Sequence, residues 1–210
     1  MKILIVSDHE SRRYWDFYQP GMLDGYDLIL SAGDLSPQYL EFLVTMGHSP
    51  LYYVHGNHDD CYEQTPPGGC DCIDGKVVEF KGVRILGLGG SMRYKNGKNM
   101  YTPKEMRRRI LKALPSILKH RGFDILLTHA PAAGLNDSED LPHRGFEDFL
   151  KLMDRFEPAY FIHGHNHRDY SSGYKREDRY GRTFVINAWE SYELEVPEGQ
   201  ETLQKKNRKG

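Results

Sequence analysis

No run of apolar residues comes near the roughly 18 that a membrane-spanning helix needs, so the 210-residue chain is expected to have no transmembrane segment. Met1-Lys2 leads straight into Ile3-Leu4-Ile5-Val6 and then Asp8, an apolar stretch too short for a signal peptide. The expectation is a cytoplasmic protein. Excess charge of one sign is also lacking: 28 basic and 30 acidic residues leave a net charge of −2. So balanced a chain has no general electrostatic pull toward nucleic acid or a membrane surface. Cysteine is scarce, with Cys61, Cys70 and Cys72 alone and no C-x-x-C zinc spacing. Reduced thiols in a loop are expected of them, ahead of a redox pair or a thiolate ligand. No fixed-period repeat and no linker composition occurs.

Histidine is what the chain has in plenty: ten residues, three of them inside 163–167. The other totals are ordinary. With 39% hydrophobic and 28% charged residues, the chain can bury enough apolar surface to stay ordered. Its length suits one domain over residues 1–200, followed by a flexible basic tail at 201–210.

Ile3 to Val6 is a continuous apolar run, the mark of a strand covered on both faces. Residues 11–19 suggest a short aromatic-faced helix stopped by Pro20-Gly21. Asp27 to Ala32 predicts a second strand. Ser36-Pro37 then supplies an N-cap and a first-turn proline for a helix with Leu40, Leu43 and Val44 on its buried stripe. Leu51 to His55 predicts the third strand, so the chain opens as an α/β fold. Residues 61–75 suggest a loop. Val77–Phe80 and Val83–Leu88, separated by Lys81-Gly82, predict a hairpin. Residues 103–114 suggest a helix, with Pro115 dividing or kinking this helical region. Phe123–Thr128 and Ala159–Ile162 predict buried strands, and 145–156 a helix. Tyr180–Ala188 and Tyr192–Val196 suggest antiparallel strands.

The polar residues collect where these strands end. Asp8 and Glu10, Asp34, Asn57 and His58, His129, and His165 and His167 each stand just past a strand-like run. In a mostly parallel sheet those ends share one edge, where α/β folds build sites. Carboxylate, amide oxygen and imidazole together make the ligand mix of Mn²⁺, Fe or Zn²⁺; a Ca²⁺ site would lack the imidazoles. Eight groups exceed one ion and suffice for two, about 3.5–4 Å apart. Each residue taken alone is an ordinary polar turn residue; the ordered set is not.

The order D-x-x…G-D…G-N-H-D…H…G-H-x-H resembles the calcineurin-like metallophosphoesterases. It is carried by Asp8, Gly33-Asp34, Gly56-Asn57-His58-Asp59, His129 and Gly164-His165-Asn166-His167. The resemblance implies a four-layer α-β-β-α sandwich of two mixed sheets, of the α/β (α+β) class. It implies two divalent cations: Mn²⁺ first, with Fe, Mg²⁺ or Zn²⁺ as alternatives. One ion would be held by Asp8, Glu10, Asp34 and His167, the other by Asp34, Asn57, His129 and His165. A hydroxide bridging the ions would attack phosphorus. His58 would protonate the leaving oxygen, with Asp59 holding its ring. The first block departs from the family's commonest pattern, because Glu10 stands where His is usual. Glu10 is expected to ligate and to favour a harder metal, Mn²⁺ or Mg²⁺ over Zn²⁺.

Arg93, His143 and Arg144 are candidate phosphate contacts, the plainer reading of each being a surface charge or structural hydrogen bond. His55 and His163 are expected to face away from the site. The implied activity is hydrolysis of a small or nucleotide-like phosphoester, mono or di. The alternative is a non-catalytic interaction protein on the same fold. A DNA nuclease is disfavoured by the slightly negative charge and the lack of a long basic stretch.

Overall fold

In the computed structural model, which describes residues 1–167 and 175–197, β1 (Lys2–Ser7) is buried from Ile3 to Ser7 because both its faces are covered. Ile3 and Ile5 point to one side and Leu4 and Val6 to the other. Beside β1, β2 (Leu28–Ser31), β3 (Leu51–Tyr53) and β4 (Cys70–Cys72) follow in parallel. On its other side lies β13 (Glu190–Glu195), antiparallel. This is the first sheet, ordered β13-β1-β2-β3-β4.

The second sheet has six strands. β5 (Val77–Phe80) and β6 (Val83–Leu88) form an edge hairpin. Lys81 and Gly82 at its turn both take positive φ, as a two-residue hairpin loop requires. β9 (Ile125–Thr128), β10 (Tyr160–His163) and β12 (Thr183–Asn187) continue in parallel from β6, and β11 (Glu177–Tyr180) closes the far edge antiparallel to β12. A short parallel pair, β7 (Ser91–Met92) and β8 (Met100–Tyr101), stands apart.

Alternate residues of both sheets meet in one apolar layer: Ile3, Ile5, Leu28 and Leu30 against Ile85, Ile125, Leu127, Ile162 and Ile186. The outer face of the first sheet is covered by α1 (Pro37–Gly47) through Tyr39, Leu40 and Leu43. The outer face of the second is covered by α2 (Pro103–Lys119) and α3 (Glu147–Phe156), with Met106, Ile110, Phe149 and Leu152 among the contacts. Helix, sheet, sheet, helix is thus the layer order. Arg84 and Asp124 brace the second sheet where β6 meets the turn into β9. The guanidinium donates to both carboxylate oxygens, at 2.9 and 2.7 Å, and to the carbonyls of His120 and Arg121. Every donor nitrogen of this buried cation is thereby occupied, which a buried charge requires.

Several local expectations give way. Residues 11–19 form successive turns instead of a helix. Tyr14 is pinned through its hydroxyl to Tyr26 and Glu193, and the Ser11 amide donates to the Tyr39 hydroxyl. These side-chain anchors override a weak aromatic helix propensity. Within residues 61–75, Cys70–Cys72 pairs as an edge strand that its polar sequence does not announce. Pro115 lies inside α2, which continues to Lys119 because Ala113 and Ile117 keep its buried stripe on the sheet. The C-terminal strands divide between the sheets: β11 and β12 complete the second, while β13 crosses to the first. Ser36 does cap α1, its hydroxyl accepting from the Tyr39 amide, and Thr102 and Glu105 form a capping box on α2. The tail at 201–210 lies outside the described residues. Among those described, no helix is long and apolar enough to cross a membrane.

Candidate metal centre

The strand ends close on one another at one edge of the sandwich. A Cβ on Gly33 would stand 2.3 Å from the Gly56 nitrogen, so the turns after β2 and β3 are in direct backbone contact. The Asp8 amide donates to the Gly33 carbonyl at 3.0 Å. A Cβ on Gly56 would lie 2.0 Å from Oδ1 of Asp34, and one on Gly164 would lie 2.3 Å from Oδ2 of Asp8. These two glycines cradle carboxylates. Asp8, Asp34 and His165 all hold positive φ, a costly backbone state for non-glycine residues that accumulates where a site over-determines the chain.

The centre of the cluster is Nε2 of His129. It lies 3.0 Å from Oδ1 of Asn57, 3.1 Å from Nδ1 of His165 and 3.3 Å from Oδ2 of Asp34. The other nitrogen of His129 meets the Ala32 carbonyl at 2.8 Å, and Nε2 of His165 meets the Pro142 carbonyl at 2.7 Å. Each imidazole therefore meets a backbone carbonyl with its outer nitrogen and turns the other nitrogen inward, the arrangement that orients metal-binding histidines. The ligand atoms of Asp34, His129 and His165 lie within 4.8 Å of one another. Beside them, Asp8 receives the His165 amide on both oxygens at 2.9–3.0 Å and the Ser7 hydroxyl at 2.6 Å. Nε2 of His167 is 3.4 Å from its Oδ1.

The charges show what the cluster attracts. Burial alone would raise Asp34, yet the charge and ring hydrogen bond of His129 and the His58 amide draw it down to about 2. Burial alone would lower His129, but Asp34 and Asp8 push it up to about 9. Asp8 falls below the usual carboxylate range: the bonds from His167 and Ser7 and the charge of His129 outweigh burial. His165 is held at about 4 by burial and by the charge of His129. Two largely buried carboxylates thus impose a proton on a buried imidazole. The donor set of two carboxylates, an amide oxygen and three imidazoles fits divalent cations of the Mn²⁺, Fe and Zn²⁺ kind.

The calcineurin-like phosphoesterase family profile matches residues 1–169. This chain belongs to the calcineurin-like phosphoesterase family. A UPF0046 protein of Caenorhabditis elegans is 27% identical over 198 residues, which cover 81% of this chain. The chain spans 64% of that relative's length. Among solved structures, TT1561 of Thermus thermophilus superposes with a TM-score of 0.60 at 16% identity, covering 90% of this chain and 89% of that one. GAP50 of Plasmodium, described as the anchor in the inner membrane complex, superposes with a TM-score of 0.50 at 11% identity, covering 89% and 70%. At such identities the likeness is one of fold.

In this calcineurin-like chain the remaining expected residues are distributed as follows. Glu10 accepts a short hydrogen bond from the Ser36 hydroxyl, while His9 turns its ring toward Trp189. His58 is exposed, and its backbone amide donates to Oδ1 of Asp34 at 2.7 Å. Asp59 bonds to backbone. Its Oδ2 accepts from the amides of Gly56, at 2.6 Å, and Asp34, at 3.0 Å. It braces the two ligand turns against each other, because buried amides in so tight a turn need an acceptor. Burial and the neighbouring Asp34 push its carboxyl up to about 6.

Arg93 is tied to the Met100 carbonyl and to Glu105. His143 pairs with Asp140 at 2.6 Å, its ring 5.3 Å from that of His165. Arg144 donates to the Glu139 carbonyl and lines a cavity of about 900 Å³ with Arg107, Leu141 and Phe146. His55 lies against Asp74 and Cys72. His163 is buried on Phe161, bonded to the Gly164 carbonyl. The supports that sequence reading missed are the Ala32 and Pro142 carbonyls and Asn166, whose amide donates to the Asn136 carbonyl. Backbone acceptors carry no side-chain signature.

Proposed function

We propose that this chain is a metal-dependent phosphoester hydrolase of the cytoplasm. On this reading Asp34 would serve both of two cations. Asp8, Glu10 and His167 would complete the set for one, and Asn57, His129 and His165 for the other. When bound, the ions supply an activated water and positive charge for the phosphoryl oxygens. The observation that carries the reading is the convergence of Asp34, Asn57 and His165 on one nitrogen of His129.

The protein's own groups do the rest. The Asp59 carboxylate holds the turns of Asp34 and Asn57 in register. The His58 amide, bonded to Asp34, holds that exposed residue beside the cluster. There the imidazole protonates the departing alkoxide oxygen. The substrate is a small or nucleotide-like phosphoester.

Hydrolysis of a nitrophenyl phosphodiester and of nitrophenyl phosphate, with Mn²⁺ and with chelator, tests the reading. Turnover with Mn²⁺ that chelator abolishes and Asp34→Asn removes supports it. No turnover with Mn²⁺, Mg²⁺, Fe²⁺ or Zn²⁺ would leave a non-catalytic interaction protein on the same scaffold.

A further inference from the structure

Trp189 sits where the two sheets hand over to each other. β12 ends at Asn187, opposite His163, and the Ala188 amide donates to the His163 carbonyl at 2.7 Å. β13 begins at Glu190, opposite Ser7. Trp189 is therefore flanked on one side by the turn carrying Gly164 and His165, and on the other by the turn carrying Asp8. It stands level with the ligand turns, and it is only partly covered. The ring of exposed His9 lies beside it, 5.8 Å away and tilted by 39°. Its backbone is held at both ends: its amide donates to Oδ1 of Asn187 at 3.0 Å, and its carbonyl accepts from Arg176. Glu190 next to it takes positive φ and accepts from the Ser11 hydroxyl.

Among the described residues, Trp189 offers a partly exposed ring face beside a second ring, level with the ligand turns. Such faces bind flat rings, because stacking needs no base-specific hydrogen bonds. Trp15, the other tryptophan, differs: it packs edge-on against Tyr39 and Phe42 on the outside of the first sheet. We infer that Trp189, with His9, is a stacking platform for the alcohol portion of the substrate, and that the preferred phosphoesters carry a planar aromatic ring of nucleobase kind. This deepens the phosphoesterase reading and rests on it for the placing of the phosphate.

Two ligands sharing a phosphate and sugar separate the ring's contribution. Adenosine 5′-monophosphate and ribose 5-phosphate are titrated, with Mn²⁺ present, into Trp15→Phe protein, in which Trp189 is the one remaining indole. The nucleotide is expected to quench the fluorescence and to bind about 10-fold more tightly than ribose 5-phosphate. Trp189→Ala should bring the two affinities together, and Trp189→Phe should keep most of the preference. Affinities followed by calorimetry give the same comparison in variants without the indole. Equal affinities in the Trp15→Phe protein, or an undiminished preference in Trp189→Ala, overturns the inference. Loss of ribose 5-phosphate binding together with loss of nucleotide binding in Trp189→Ala would assign Trp189 to scaffold and overturn it equally. Turnover of nitrophenyl esters is a separate readout. A chain that hydrolyses them without preferring the nucleotide refutes the platform alone; one that prefers the nucleotide without turnover refutes the hydrolase alone.

Discussion

Oδ1 of Asn57 and Nε2 of His129 stand 3.0 Å apart although 72 residues separate them in the chain. With Asp34 and His165 on the same nitrogen, the contact makes a binding test of the centre possible without any substrate. His129 is held at about 9 by Asp34 and Asp8 against burial, so near neutral pH it carries a proton that a cation must displace. Mn²⁺ binding is expected to release about one proton at pH 7 to 8 and to strengthen as pH rises toward 9. Calorimetry in buffers of different ionisation enthalpy measures that proton. His129→Ala and Asn57→Ala should weaken binding by about 10-fold or more. Affinity independent of pH over this range would remove His129 from the ligand set.

Gly56 permits the approach that makes the site. Any side chain there meets Asp34 at 2.0 Å and its backbone nitrogen at 2.5 Å. Gly56→Ala is expected to cost about 1–3 kcal/mol of stability by overpacking, and to abolish Mn²⁺ binding in the fraction that folds. Thermal melts with and without Mn²⁺ check both. A metal-induced rise in Tm equal to that of the unaltered protein would show that the close approach is dispensable.

The buried central strands of both sheets were legible because burial on two faces demands long apolar runs, as in Ile3–Val6 and Phe123–Thr128. Their polar ends were legible for the complementary reason that Asp, Asn and His have no other cause to recur just past such runs. What stayed hidden was decided by distant contacts. β4 is strand only because β3 offers it a partner. Residues 11–19 miss helix because Tyr14 finds Tyr26 and Glu193. Asp59, adjacent to His58 in sequence, turns to amides of its own and a neighbouring turn. Adjacency along the chain says little about direction inside a turn.

His163 carries a pH signature separate from catalysis. It is fully buried, its Nε2 has no partner among the described residues, and burial drives it down from 6.5 to about 4. A group depressed in the folded state supports stability fully above its unfolded pKa and loses that support as pH falls through the folded value. The folded protein should therefore weaken from about pH 6.5 down to about pH 4, by up to roughly 3 kcal/mol from this residue. His163→Phe, which can stack on Phe161 as the imidazole does, should flatten that limb in denaturant titrations of the metal-free protein. An unchanged acid limb would place the loss elsewhere.

His58 is expected to matter in proportion to the leaving group. A nitrophenolate departs without a proton, whereas an alkoxide needs one. His58→Ala should lower kcat toward an alkyl phosphoester by about 100-fold or more and toward a nitrophenyl ester much less. Equal losses on the two substrates would take the imidazole out of the acid role and leave its amide on Asp34 as the whole contribution.

Glu10 separates two accounts of one carboxylate. Its bond to Ser36 ties it to the N-cap of α1, and its place two residues after Asp8 offers it to a cation. As a ligand it would add a third negative charge beside Asp8 and Asp34, favouring Mn²⁺ or Mg²⁺ over a softer ion that prefers imidazole. Glu10→His should then shift the ratio of Zn²⁺ to Mn²⁺ affinity upward by about 10-fold. Glu10→Gln, which still accepts from Ser36, should lower Mn²⁺ affinity with little change in stability. As a helix buttress alone, Glu10 would show the reverse pattern. Both substitutions would leave metal preference untouched, and Glu10→Ala would cost about 1 kcal/mol in melts, as loss of a cap does. Calorimetry with both metals, run beside thermal melts of the three variants, decides between a charge that selects the ion and one that only holds the helix.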